Sequence, residues 1–251
     1  MVVNSTIDVL MNHRSIRKYS DEVPGEEIIE TIVKAGQQAA FAGQLGSLIL
    51  SRDRTKHPFT APLYFIICVD INRMKKVMEK RNWELVSSDA AMLLFGVQDA
   101  CYLAQNLVIA AESLGLGTCY LGFVPFNADN MIKKYDLPSK VLPLVGLTVG
   151  YPSENPPVRP RYPLSFACYE GKYPKFSDAQ IETAMQIMDD GYLRQNYYQD
   201  GKLMIKLEND SDDPYDAANY SWTEHISRKW GQWLKDPEEF GNMMRKYGFE
   251  I

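Results

Sequence analysis

Four basic side chains and two serine hydroxyls fall within nine residues of an otherwise acidic chain: NHRSIRKYS, Asn12 to Ser20, carries His13, Arg14, Arg17 and Lys18 beside Ser15 and Ser20. Guanidinium forks, an imidazole and hydroxyls are the donors that hold an anion with several charged oxygens. Each well-placed charge-assisted hydrogen bond contributes roughly 1.5–3 kcal/mol. A second basic pair, Arg159 and Arg161, lies in VRPRYP, where Pro156, Pro157, Pro160 and Pro163 stiffen the chain in and around the run. Brought together, the two segments would clamp a phosphate. Kept apart, they are solvated surface charges with casual ion pairs, and spacing along the chain does not decide between the two.

Other catalytic sets are absent from the sequence. His13, His57 and His225 show no metal-ligand spacing, and there is no G-x-S-x-G elbow or Walker-A loop. GLGTCYLG contains a G-x-G, but it follows a helical segment, whereas a dinucleotide fingerprint follows a strand and opens a helix. No side chain is therefore assigned as acid, base or nucleophile, and no metal site is expected. These absences favour chemistry carried by a bound cofactor, with the protein supplying orientation and electrostatics. The net charge of -5 gives no basic field for a nucleic acid or an anionic membrane. No basic leader precedes an apolar segment, and no uninterrupted run of about 18 apolar residues occurs, so a cytoplasmic protein is expected. Cys68, Cys101, Cys119 and Cys168 are widely spaced and expected as buried, reduced thiols.

The basic cluster must be positioned by its neighbours. Thr6 to Met11 reads as a short helix capped by Asn4 or Ser5, and GEEIIETIVKAGQQAA after Pro24 as a second helix with Ile28, Ile32 and Ala35 at helical spacing. A flexible connection is expected over Phe41 to Pro62. LYFIICVD, Leu63 to Asp70, and VLPLVGLTVG, Val141 to Gly150, are apolar runs of buried-strand type, and TCYLG is a short strand. From Asp89 a long helix runs to the glycines at 115 and 117. Leu93, Val97, Cys101, Ala104, Leu107, Val108 and Ala111 mark one stripe, while Phe95, Tyr102, Leu103 and Ile109 make the opposite side apolar too. A helix apolar nearly all round is either central or shared with a partner subunit. Beyond about residue 175 come an amphipathic helix over Ser177 to Tyr198, an acidic loop NDSDDPYD and one or two helices over Trp222 to Tyr247. One domain over 1–251 is expected, with 175–251 as a helical excursion.

HRSIRKYSDEVP, then AAESLGLGTCYLG, then GLTVGYPSENPPVRPRYPL, in that order, resemble the nitroreductase family of FMN-dependent oxidoreductases, particularly its larger flavin-reductase-like branch; SWTEHISRKW is similar to that branch too. The resemblance implies an α+β fold with a central, mostly antiparallel mixed sheet flanked by helices, and an intertwined homodimer with two FMN sites at its interface. It further implies that His13, Arg14, Ser15 and Arg17 hold the phosphate and ribityl chain, joined by Arg159 and Arg161. Tyr120, Leu121, Gly122 and Phe123 match the stretch that approaches the flavin near N5, supported by the backbone of Leu121 and Gly122; taken alone, Gly122 reads as a simple strand-end glycine. The implied activity is hydride transfer from NADH or NADPH through FMN to a nitroaromatic, quinone or flavin. The alternatives are a flavin-binding protein with little turnover, reductive dehalogenation or enone reduction.

Two departures from the pattern bear on specificity. Where the family carries serine-rich residues, this chain has Ala40, Phe41, Ala42 and Gln44 in QQAAFAGQLGS, implying a more apolar pocket with Phe41 near the ring or substrate. RTKHPF replaces an expected glutamine, so Lys56 or His57 faces either the flavin's N1/O2 edge or water. In the excursion, LENDSDDPYDAANYSW has five acidic side chains and no basic one, which opposes a 2′-phosphate and favours NADH.

Overall fold

The computed structural model describes residues 2–208, 212–233 and 236–251. By contacts the chain divides into two compact units, Met1–Pro156 with Phe240–Ile251, and Pro157–Glu239. The boundary thus falls at Pro157, ahead of the excursion read from residue 175, and the last twelve residues belong with the first unit.

The first unit begins with α1 (Ser5–Met11), whose N-cap Asn4 accepts from Ile7 N–H, and α2 (Glu26–Gln37). Next come β1 (Gly46–Ser51), β2 (Leu63–Asp70), α3 (Ile71–Lys80), α4 (Asp89–Ser113), β3 (Gly117–Leu121), α5 (Ala128–Tyr135) and β4 (Val141–Gly150). The connection expected to be flexible over Phe41 to Pro62 instead contains β1 and two 3-10 turns. GSLILS is short and mostly half-buried, so its sequence signal is weak; pairing along β2 fixes it as a strand.

The four strands lie in the order β1-β2-β4-β3, all ladders antiparallel. A parallel bridge from Ser15 to Thr118 adds the basic segment beyond β3 and makes the sheet mixed, as the α+β expectation required. Strand β2 is covered on both faces. Leu63, Phe65, Ile67 and Val69 join the core under α2 and α4, while Tyr64, Ile66 and Cys68 pack with Val124, Leu137 and Val141. Double coverage explains a continuous apolar run in place of alternation.

Helix α4 packs on α2 and the sheet, but its inward face differs from the expected stripe. Gly96, Ala100, Ala104, Leu107, Val108 and Ala111 are buried, whereas Cys101 and Tyr102 point outward with Leu94 and Phe95. Close approach is the reason: a Cβ on Gly36 would sit 3.1 Å from the Leu103 carbonyl oxygen, and one on Gly46 3.1 Å from Ala100 Cα. Small residues therefore meet the closest backbone approaches, Leu107 and Val108 fill the core beside them, and Leu94, Phe95 and Tyr102 are left outside. By length and composition α4 is long and apolar enough to cross a membrane, the one such helix among the described residues, although Gln98, Asp99, Gln105 and Asn106 interrupt it. It ends in a Schellman arrangement, with Gly115 at φ +80°, its N–H on the Glu112 carbonyl and Leu116 N–H on that of Ala111.

All four cysteines are free, but only Cys68 and Cys119 are buried; Cys101 and Cys168 are exposed, contrary to expectation. The second unit holds α6 (Asp178–Leu193), α7 (Tyr197–Gly201) and α8 (Trp222–Gln232) around a tyrosine-rich core. Helix α9 (Pro237–Lys246) leads back into the first unit, where Met244, Tyr247 and Phe249 join its core. There the buried Asp89 accepts from Lys140 Nζ and Glu250 N–H, both at 2.8 Å, tying the C-terminal tail to the start of α4.

Candidate functional site

The basic segment is held in place by backbone pairing on both sides. Ile16 N–H donates to the Thr118 carbonyl at 2.8 Å on β3, while Ser20 N–H reaches Tyr151 and Ser153 N–H reaches the Lys18 carbonyl, both at 2.9 Å. Glu154 accepts from Arg17 N–H at 2.5 Å and Lys18 N–H at 3.1 Å. Gly117 makes this approach possible, since a Cβ there would lie 2.6 Å from Ile16 Cγ1. Tyr19 closes the segment from beneath, its hydroxyl donating to the Ile16 carbonyl at 2.6 Å beside Thr148 Oγ1; burial pushes that phenol well above its usual range.

Alternation along the extended segment separates its basic side chains. Arg14 donates to Asn12 O, Asn155 Oδ1 and Pro156 O, stapling the turn after β4. It lines a cavity of about 380 Å3 with Asp8, Glu112, Glu154 and Asn155, whose three carboxylates do not suit a phosphate. Ser15 and Arg17 lie instead against the Cys119 thiol; burial raises that thiol's pKa and the Arg17 charge partly offsets the rise. His13 Nδ1 donates to Glu112 Oε1 at 2.8 Å, and Thr118 Oγ1 donates to the same oxygen at 2.7 Å, so Nε2 is the nitrogen left for a ligand.

The far end of β3 carries Tyr120 and Leu121, followed by Gly122 and Phe123. Thr118 and Gly122 are four residues apart, about 13 Å along a strand. Gly122 is exposed, and a Cβ on it would meet nothing within 4 Å, so nothing in this chain demands glycine there. Phe123 is 70% exposed and rests on Phe126, ring centroids 5.3 Å apart.

Ala40, Phe41, Ala42 and Gln44 occupy the loop before β1, and its organiser is a residue the sequence reading missed. Asp99 of α4, 3% exposed, accepts from Ala42 N–H (2.6 Å), Gly43 N–H (2.9 Å) and Leu45 N–H (2.9 Å). Arg73 adds donors to the Gln44 and Gly46 carbonyls. Ala40, Phe41 and Gln44 line a cavity of about 300 Å3 together with Gln37, Gln38 and Arg73. The expected apolar pocket is thus corrected: glutamine amides and a guanidinium replace the missing hydroxyls. The sequence signal for Asp99 and Glu112 was a carboxylate inside a helix otherwise apolar all round.

Within one chain this loop and the basic segment lie at opposite corners of the sheet. Gly46 pairs with Val69 near one end of β2, whereas Gly117 pairs with Gly150 near the Leu63 end. Helix α4 measures the gap: Asp99 holds the loop and Glu112 holds His13, thirteen residues and so about 20 Å apart along the axis.

Neither residue offered for the flavin edge from RTKHPF is an open cation. Lys56 Nζ pairs with Asp53 at 2.7 Å on the surface. His57, 6% exposed, makes 2.8 Å hydrogen bonds to the Ala61 carbonyl and Ser51 Oγ, and burial lowers its pKa.

In the second unit Arg159 donates to Gln195 Oε1 at 2.6 Å and stacks over the Tyr197 ring at 4.1 Å, while Arg161 donates to the carbonyls of Arg159 and Pro160 and is exposed. Of the acidic stretch, residues 209–211 lie outside the described residues. Its Asp213 is met by Arg228 of α8, a buried guanidinium that also binds Glu224 and the Ile205 carbonyl, so the fold supplies a positive charge the local sequence lacks.

A family model described as the nitroreductase family matches residues 47–151. The chain is 34% identical over 185 residues to an oxygen-insensitive NADPH nitroreductase of Salmonella typhimurium, covering 68% of this chain and 75% of that one. It is 33% identical over 187 residues to an FMN reductase (NADPH) of Bacillus subtilis, covering 68% and 75%. The solved structure of B. megaterium NfrA2 is similar with a TM-score of 0.83 at 28% identity over 99% of both chains. The oxidoreductase YcnD from Bacillus subtilis gives 0.81 at 26% identity over 99% of both.

Proposed function

This chain belongs to the nitroreductase family, and on that premise we propose that it is an FMN-dependent oxidoreductase working by a ping-pong route. It takes hydride from a reduced nicotinamide, NADH in preference to NADPH, and delivers it to a nitroaromatic, a quinone or free flavin. A bound FMN supplies the hydride-accepting and hydride-donating atom, N5, so the relay asks no acid, base or nucleophile of the protein. The observation that carries this reading is the layout of β3. Ser15 and Arg17 sit beside its start as donors for a phosphate monoester, and Leu121 with the exposed Gly122 ends it about 13 Å away.

In this reading His13 Nε2, Ser15 and Arg17 hold the phosphate. Arg14 braces the turn that carries Glu154. The vacant space over Gly122 lets a planar ring lie against the backbone, and Phe123 shields it from water. The loop of Ala40, Phe41, Ala42 and Gln44 reaches the same site only from a second copy of this chain, given its place at the opposite corner of the sheet. The exposed Leu94, Phe95 and Tyr102 of α4 give such a homodimer its apolar face. The reading also puts the enzyme in the cytoplasm, where reduced nicotinamides are found.

The donor preference rests on the acidic stretch. Arg228 matches Asp213, while Asp212 and Asp216 remain exposed, where a 2′-phosphate meets Coulomb repulsion. Several relatives are named for NADPH, so the comparison is discriminating. A kcat/KM that favours NADPH by more than about tenfold, roughly 1.4 kcal/mol, would overturn the preference. Anaerobic mixing with NADH in a stopped-flow instrument tests the enzyme itself: prompt bleaching of bound flavin is expected, and flavin that stays oxidised with either nicotinamide would leave a binding protein without turnover.

A further inference from the structure

The second unit contains a line of oxidisable rings. Tyr162 meets Trp222 edge-on at 5.5 Å, Trp222 stacks on Tyr192 at 6.3 Å, Tyr192 lies 5.6 Å from Tyr198, and Tyr198 lies 5.6 Å from Tyr220. Tyr162 and Trp222 are half-buried, whereas Tyr192, Tyr198 and Tyr220 are buried. Packing accounts for the clustering of large rings. It does not account for the hydrogen bonds at the inner end.

There the Tyr220 hydroxyl oxygen accepts from Ile205 N–H at 3.0 Å and lies 3.2 Å from His225 Nδ1. The hydroxyl oxygen is already taken by the Ile205 N–H, and His225 Nδ1 is the acceptor left within reach of the phenol's single O–H. The phenol therefore donates to His225. Burial keeps this imidazole below its usual range, hence neutral and able to take a proton. Glu224 and Asp213 lie near Tyr220 and are both bound by Arg228, while Lys229 faces His225. That guanidinium lies 5.1 Å from the Tyr220 ring centre, where its charge disfavours a ring radical cation but not a neutral phenoxyl radical. Oxidation of Tyr220 is thus tied to departure of its proton.

We propose that Tyr162, Trp222, Tyr192 and Tyr198 form a hole-transfer chain ending at Tyr220 and His225, a proton-coupled pair that serves as an internal sink for one-electron oxidants. A radical oxidant at the surface takes one electron from Trp222 and becomes its reduced anion. An electron from Tyr220 refills the indole through the intervening rings, while the phenolic O–H proton moves to His225 Nδ1. The products are the reduced oxidant, a neutral Tyr220 phenoxyl radical and a protonated His225. This inference does not depend on the flavin.

Pulse radiolysis with the azide radical tests it on the purified full-length protein, following conversion of the indolyl signal to phenoxyl by absorbance and assigning the radical by electron paramagnetic resonance of freeze-quenched samples. The expected result is a phenoxyl signal that is lost in Tyr220→Phe and forms more slowly in His225→Gln. In the unaltered protein its formation slows in D2O by more than the change in viscosity. The same phenoxyl spectrum in Tyr220→Phe, or a formation rate indifferent to His225→Gln, overturns the proposal. Should either variant fail to fold, the solvent isotope effect decides alone: no effect in the unaltered protein overturns it.

Discussion

Arg17 is the residue on which the anion reading turns, because its guanidinium lies with Ser15 beside β3 while its backbone is fixed by Glu154. Removing one charge-assisted donor costs roughly 1.5–3 kcal/mol, so Arg17→Ala should weaken FMN binding roughly ten- to hundredfold without loss of folded structure. Equilibrium dialysis measures this, and a variant that keeps stoichiometric flavin after extensive dialysis would exclude the assignment. His57 makes a different prediction. Burial lowers its pKa from 6.5 in the folded state, so below that pH the unfolded chain takes up a proton that the native chain does not. Stability is complete above pH 6.5 and falls as pH drops from there toward the depressed native value. In His57→Gln, denaturant titrations across that window should show a shallower decline than in the parent; equal slopes would mean that the imidazole titrates normally.

Helix α4 is the element that organises both halves of the site. Asp99 fastens the loop of Ala42 to Leu45 through three backbone N–H groups, and Glu112 fastens His13 and Thr118. Asp99→Ala leaves those buried donors unmet, at a cost of about 3 kcal/mol in stability. The expected result is a lower denaturation midpoint, with faster amide exchange at Ala42, Gly43 and Leu45. Exchange at those amides as slow as in the parent would show that the loop is held by other means, with Arg73 the obvious holder.

For the whole molecule, the decisive quantity is the separation between the loop before β1 and the segment beside β3, at opposite corners of one sheet. On the proposed reading a single copy cannot place both on one flavin, and the exposed apolar face of α4, with Leu94 60% exposed, would be covered by a second copy. Sedimentation should find a dimer, and Leu94→Glu should convert it to a monomer that loses FMN. A parent protein that sediments as a monomer with flavin fully bound would rule out the shared site.

The strands Leu63–Asp70 and Val141–Gly150, the long apolar helix and the clustering of donors over His13 to Arg17 were legible in the sequence, because each depends on local composition and period. The family resemblance, too, lay in contiguous motifs. What only the tertiary structure decided depends on partners distant in the chain. Strand β1 exists through pairing with β2, and small residues of α4 face inward because backbones approach closely there. Arg14 and Arg17, three residues apart, were separated by strand alternation into different surroundings. Asp99 and Glu112 are single charges in an apolar helix, and Arg228 has only Glu224 at helical spacing; the other groups that explain them come from loops and strands folded against them, and no spacing along the chain encodes that.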